Sequence, residues 1–203
     1  MKRSRRSVRL QGYDYSGDGA YFVTVCTHDR KCLFGDVADG KMRLNELGRV
    51  VFDCWSAIPI HFGHTVLDSF VVMPNHVHGI IFIDENRHGS GVGARHAVPL
   101  PSNPLPRLFE SFGKPVCGSI PTTIRSFKSA VTKRINEMRN KPAYPIWQRN
   151  YYERIVRNET ELNNVRQYIR DNPLKWETDP ENPSALRDSL LPKLLSGRIR
   201  VKS

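Results

Sequence analysis

No stretch restricts this chain more than Met73-Pro74-Asn75-His76-Val77-His78-Gly79-Ile80-Ile81-Phe82-Ile83. Pro74-Asn75 forms a tight junction, and the apolar, β-branched run behind it reads as a strand. Side chains of a strand alternate between faces, so His76 and His78 point one way and Val77 the other. Two imidazoles on one face can share a divalent ion. Taken alone, the pattern also suits two strand histidines at the edge of a solvated sheet face. A metal reading asks for this strand to lie centrally in a sheet, where the imidazoles have rigid support.

The flanking segments supply such a sheet. Tyr21–Thr27 is aromatic and β-branched and predicts a strand, and Lys41–Leu44 predicts a short edge strand. Asn45 is a plausible N-cap for a helix whose Leu47, Val50, Val51, Cys54, Trp55 and Ile58 recur at helical spacing. Val66–Met73 predicts a strand that turns at Pro74-Asn75 into His76–Ile83. A second helix starts near Pro121 with Ile124, Phe127, Val131, Ile135 and Met138 as its apolar stripe. Trp147–Val156 predicts a fourth long strand, aromatic and basic. Asn158 and Glu161 have capping-box spacing for a third helix that turns Leu162, Val165 and Ile169 inward and stops at Pro173. The order β-α-β-β-α-β plus a helix predicts an α+β class. The expected architecture is a ferredoxin-like antiparallel sheet with helices on one face and a C-terminal tyrosine-bearing helix. The expected division is a basic arm over 1–19, one domain over 20–173 with a long loop or insertion at 84–120, and a basic tail over 174–203.

Charge narrows the partner. The 31 Lys and Arg residues exceed the 20 Asp and Glu residues, giving a net charge of +11. That excess suits a polyanion, although a merely soluble basic protein has the same balance. No basic amphipathic helix stands free at a terminus, so nucleic acid is favoured over a membrane surface. No apolar stretch approaches the length of a membrane span, and Met1-Lys2-Arg3-Ser4-Arg5-Arg6 does not read as a secretory signal. Cys26, Cys32, Cys54 and Cys117 lack Cys-x-x-Cys spacing and read as reduced thiols of a cytoplasmic protein. The expected DNA contacts are Arg3, Arg5 and Arg6 of the arm, Arg198 and Arg200 of the tail, and Arg149 with the stacking Trp147. Given the net charge, Arg125 and Lys128 are expected DNA contacts too: with Thr132 and Arg139 they share one helix flank that could lie along a phosphate backbone, although without that charge a solvated face would be preferred.

The third helix offers chemistry. Tyr168 and Asn172 lie four residues apart, on one helix face and about 6 Å apart along its axis. From the margin of the apolar stripe they would point over the sheet edge toward His76 and His78. Asn172 offers a neutral carbonyl oxygen to a hard cation, and Tyr168 a phenolic nucleophile. A phenol is a poor nucleophile at neutral pH, and a metal helps by stabilising charge on the electrophile. Considered separately, Tyr168 reads as a core-margin tyrosine and Asn172 as a helix end set by the following proline. Tyr151 and Tyr152 face opposite sides of their strand, so at most one can face the site; a stacking or core role suits them better. Glu153 and Asp171 are general acid or base candidates by proximity in sequence.

The segments Met73-Pro74-Asn75-His76-Val77-His78, Trp147-Gln148-Arg149-Asn150-Tyr151-Tyr152-Glu153 and Tyr168-Ile169-Arg170-Asp171-Asn172-Pro173-Leu174-Lys175-Trp176, in this order, resemble the single-tyrosine HUH transposases. The closest branch is the REP-associated tyrosine transposases. The resemblance spans roughly residues 8–176 and takes in Val8–Tyr15 and Ile124–Thr132. It implies a metal-dependent, single-stranded DNA endonuclease and strand transferase, bacterial and nucleoid-associated. His76, His78 and Asn172 would hold Mg²⁺ or Mn²⁺, and Tyr168 would form a 5′-phosphotyrosine link at sites beside imperfect hairpins. A homodimer is one expected arrangement, because some relatives complete the site with a partner's tyrosine helix. The rival reading is a non-catalytic single-stranded DNA or hairpin binder that keeps the site as a relic. A replication initiator or relaxase fits less well, since many carry a tyrosine pair or a third histidine.

Overall fold

The computed structural model describes residues 17–84 and 116–183. Its elements run β1 (Gly19–Cys26), β2 (Gly35–Ala38), β3 (Lys41–Leu44), α1 (Glu46–Ser56), α2 (Ile58–His61), β4 (Thr65–Val72), β5 (His76–Ile83), α3 (Ile120–Met138), β6 (Tyr152–Val156) and α4 (Glu159–Asp171). The main sheet has the order β4-β5-β1-β6 and is antiparallel throughout. With β1-α1-β4-β5-α3-β6 as its frame, this is the expected ferredoxin-like arrangement. The histidine strand β5 is central, with β4 on one side and β1 on the other. No helix among the described residues is long and apolar enough to cross a membrane.

Alternation along the central strands divides the molecule in two. Tyr21, Val23 and Val25 of β1 and Val77, Ile81 and Ile83 of β5 join Val51, Trp55, Ile124, Phe127, Val131 and Ile135 in the larger core, under α1 and α3. Gly79 lies on this face because any Cβ there would strike the Trp55 ring. Ala20, Phe22, Ile80, Phe82 and Val156 face the other way, against Leu162 and Ile169 of α4. Burial of each large apolar side chain contributes roughly 1.5–3 kcal/mol, so two of them suffice to seat the helix firmly. α4 therefore covers the second face of the sheet directly. The expected approach over a sheet edge is corrected, because the stripe of α4 has its own apolar partners on that face.

Local chemistry explains the other departures. Lys41–Leu44 pairs with Gly35–Ala38 in a separate two-stranded sheet and does not edge the main one. Asp39 and Gly40 between them both have positive φ, 53° and 66°, the turn that an Asp-Gly pair favours in hairpins. α1 stops at Ser56, and Ile58 begins the short α2 with proline in its first turn. Met138, expected in the apolar stripe of α3, is 51% exposed at the helix end. β6 begins at Tyr152, and Trp147 pairs only through an isolated bridge to Thr27. Asn158 caps α4 by accepting the Glu161 amide at 2.8 Å, while the Glu161 carboxylate reaches back to the Arg157 amide at 2.9 Å.

Residues 174–183, assigned by sequence to the tail, pack back against the domain. A 3-10 turn at Pro173–Thr178 reverses the chain after α4, and Asp179 and Asn182 are buried. The expected contacts Arg3, Arg5, Arg6, Arg198 and Arg200 and most of the loop at 84–120 lie outside the described residues.

Candidate metal centre and tyrosine site

His76 and His78 sit on β5 opposite Cys26 and Thr24 of β1, and both imidazoles are buried. Their rings are 4.4 Å apart between centroids. Each Nδ1 has a partner: Thr24 Oγ1 lies 2.8 Å from that of His78, and Asn75 Oδ1 lies 2.8 Å from that of His76. The Asn75 oxygen can only accept, so His76 carries its proton on Nδ1 and turns the Nε2 lone pair inward. Burial pushes the pKa of His76 down to about 4, against the opposing pull of Asp179 and Asn172. Burial, and then His76 itself, hold His78 well below the usual histidine range. Both rings are therefore neutral at pH 7, the form that ligates metals.

Asn172 ends α4 and is 2% exposed, with its side chain beside His76. Its amide donates to Asp179 Oδ2 at 2.9 Å. Asp179 and the two histidines bring ligand atoms within 4.8 Å of one another. His76 Nε2 and Asn172 Oδ1 are buried without a hydrogen-bond partner. Orphaned acceptors in a dry site are costly, and a cation would satisfy both. Two imidazole nitrogens, an amide oxygen and a carboxylate are a mixed donor set compatible with a divalent ion of the Mg²⁺ or Mn²⁺ kind.

Tyr168 Oη lies 3.2 Å from His78 Nε2, and the side chain is 42% exposed. Burial pushes its pKa up to about 12, reinforced by Asp179, Glu181 and Cys26. The negative field from the returning segment opposes phenolate, and a nearby cation would oppose that field in turn. Phe22 forms the apolar floor, stacked on His78 at 5.4 Å and edge-on to Tyr168 at 6.0 Å. Arg166 fixes the helix by donating to both carboxylate oxygens of Asp68, at 2.9 and 2.7 Å, where β4 shifts register.

The structure thus brings His76, His78, Tyr168 and Asn172 together within one chain. Asp179 was missed by sequence reasoning, since it lies beyond a proline and its position depends on the turn at 173–178. Thr24 and Asn75 were missed too; the register opposite His78 and the Asn-His step were the available signals. Asn75 also ties the returning segment down, donating to Glu181 O at 2.7 Å and Arg30 O at 3.1 Å.

Other expectations fare differently. Trp147 is 7% exposed and packs between Phe34 and Phe127, so its ring is not available as a stacking platform. Lys128 donates to Gln148 O at 2.6 Å and Arg149 O at 3.2 Å, so it braces a loop and is not open to a phosphate. Burial lowers its pKa to about 8. Arg125 and Arg149 are exposed. Glu153 faces the larger core, opposite Val23, and accepts the Tyr151 hydroxyl at 2.5 Å. It is on the wrong face for acid–base work at the histidines. Asp171 is engaged by Gln167 at 2.6 Å and Lys175 at 3.4 Å. The acids that bear on Tyr168 are instead Asp179 and Glu181.

No protein-family model matches the chain. A solved structure of a REP-associated tyrosine transposase bound to a REP hairpin is similar in fold, with a TM-score of 0.50. The identity is 18%, over 87% of this chain and 74% of that one. An uncharacterized protein of Haemophilus influenzae is 39% identical over 175 residues, which is 86% of this chain and 91% of the relative. The chain combines a transposase-like fold with the histidine pair and tyrosine described above, and it belongs to the same family as that Haemophilus influenzae protein.

Proposed function

We propose that the protein is a metal-dependent, single-tyrosine DNA strand-cleaving and strand-joining enzyme, acting on single-stranded DNA beside imperfect hairpins. The observation that carries this reading is the Tyr168 hydroxyl 3.2 Å from His78 Nε2, at a buried site where His76 Nε2 and Asn172 Oδ1 lack partners. A net charge of +11 supports a polyanionic substrate. The hairpin bound to the structurally similar transposase suggests its form.

His76, His78 and Asn172, with Asp179 added, would hold Mg²⁺ or Mn²⁺. When bound, the ion supplies positive charge against the phosphate oxygens. Tyr168 Oη attacks the phosphorus of the scissile phosphodiester. An Oη–P bond forms, the P–O3′ bond breaks, and the 5′ side stays linked to the protein as phosphotyrosine. The phenol gives up a proton and the departing 3′ oxygen gains one, so the step is a balanced transesterification. A 3′-hydroxyl attacking the phosphotyrosine reverses it and joins strands. Exposed Arg125 and Arg149 would contact DNA phosphates away from Tyr168, since α3 packs on the other face of the sheet.

The test is a denaturing gel of protein with labelled hairpin DNA, with and without Mn²⁺, wild type beside Tyr168→Phe. The expected result is a Mn²⁺-dependent covalent adduct in wild type only, with DNA binding retained in the variant. An adduct that survives the substitution removes Tyr168 as nucleophile. Binding with no adduct from wild type leaves the relic, non-catalytic reading.

A further inference from the structure

We propose that Arg30 binds a phosphate of the DNA at the Tyr168 site, with Glu181 holding its guanidinium in place. This rests on the DNA reading above and adds a cation that belongs neither to the metal centre nor to α4. β1 ends at Cys26, and the chain then makes a 3-10 turn at His28–Arg30. Two consecutive residues of that turn are left-handed, Asp29 at φ 56° and Arg30 at φ 54°. Aspartate tolerates this conformation, whereas a long side chain such as arginine rarely adopts it. Strain of this kind collects at functional sites, where surrounding contacts hold it. Three such contacts hold Arg30. Its carbonyl accepts from Asn75 Nδ2 at 3.1 Å, its Nε lies 3.2 Å from Glu181 Oε2, and its Nη1 donates to Pro180 O at 3.0 Å.

These contacts set the guanidinium beside the histidines. The same Asn75 side chain accepts from His76 Nδ1, and Glu181 Oε2 also accepts the thiol of Cys26, the residue opposite His76 in the sheet. Arg30 accordingly bears on both His76 and Cys26 with its positive charge. That charge has a use at this place. Asp179 and Glu181 both bear on Tyr168, so a phosphodiester brought to its hydroxyl meets two carboxylates. A divalent ion would offset Asp179, and Arg30 offsets Glu181. Arg166, which clamps α4, is consumed by Asp68, Glu159 and Asn163. The Arg30 side chain is 37% exposed, and its Nη2 has no partner among the described residues. A guanidinium presents its donors in a planar fork that matches phosphate oxygens. Nη2 can therefore take a phosphate oxygen while Nε stays on Glu181.

The test measures binding of a labelled hairpin oligonucleotide with single-stranded flanks across a salt series without divalent metal, and adduct formation separately with Mn²⁺. Glycine takes the left-handed turn without strain, so Arg30→Gly removes the guanidinium and should melt close to wild type. It should bind roughly 10- to 150-fold more weakly, the range for losing a hydrogen bond to a charged group. Its log–log salt slope should fall by about 0.7, one phosphate contact on a single strand. Arg30→Gln, polar but uncharged, should show the same loss and replaces the glycine variant if that one unsettles the turn. Arg30→Lys keeps the charge and should keep the slope while losing part of the affinity. Adduct yield at subsaturating DNA should fall with affinity. The double variant Arg30→Gly with Glu181→Gln decides what the charge is for. Wild-type binding and yield in the double variant would mean that Arg30 only cancels Glu181, and the phosphate contact is overturned; persistent loss supports it. Wild-type adduct with unaltered slope and affinity in Arg30→Gly sinks this contact alone. No wild-type binding and no adduct sinks it together with the DNA reading.

Discussion

The two faces of the central sheet share the same strands and differ in almost every other respect. Toward α1 and α3, β5 presents Val77, Ile81 and Ile83 to a continuous apolar core. Toward α4 the same strand presents His76 and His78 at one end and Ile80 and Phe82 at the other. The first face is sealed chiefly by apolar packing, with only a few polar atoms such as the Trp55 and Trp147 indole nitrogens and Glu153 among its buried groups. The second has to bury two imidazoles, and it succeeds only because Thr24, Asn75, Asn172 and Asp179 surround them. Stability and chemistry are thus separated by the period-two alternation of one strand, and the rigid face supports the reactive one.

This contrast can be broken most severely in the core. Ile81→Ala should cost about 2–5 kcal/mol of stability in denaturant unfolding, yet leave adduct yield per folded molecule unchanged. Ile80→Ala, one residue along but beneath α4, should cost a similar amount and also lower the yield. Equal effects of the two variants on chemistry would mean that the faces are not functionally distinct.

Asp179→Asn keeps an oxygen but removes the charge at the histidine site. Mn²⁺ affinity should fall by about 10- to 100-fold in titration calorimetry, with the fold intact. Unaltered affinity would remove Asp179 from the ligand set.

The smallest effect is expected at the clamp that seats α4. Burial works to raise the Asp68 carboxyl, but Arg166 and the Ser69 amide outweigh it and hold the group below the usual carboxylate range. A depressed folded value means that its stabilisation is present above the unfolded pKa of about 3.9 and lost as pH falls through the folded one. Asp68→Asn should therefore cost about 1 kcal/mol at pH 7, and the difference from wild type should shrink below about pH 4. A constant difference from neutral to strongly acidic pH would exclude the carboxylate as its source.

Much of this was legible from the chain. The His-x-His step lay on a strand whose alternation put both rings on one face, and the i, i+4 pair Tyr168 and Asn172 had to share a helix face. Local rules sufficed there. They did not reveal which sheet face α4 would cover, because its stripe of Leu162, Val165 and Ile169 fits any apolar surface. Trp147 read as a stacking residue because an aromatic, basic run looks alike on a surface and at a core margin; only the packing of Phe34 and Phe127 decides. Asp179 depended on a chain reversal that no periodicity encodes.

The constellation is complete in a single chain, with α4 clamped to its own sheet by Arg166 and Asp68. On the proposed reading, assembly of the cleavage site would be zero order in neighbouring molecules, and dilution would remove nothing that one copy needs to open one strand. Joining has a different stoichiometry. One phenol can hold one 5′ end, so under the proposed chemistry exchange between two DNA ends would require either two molecules or two successive turnovers by the same one.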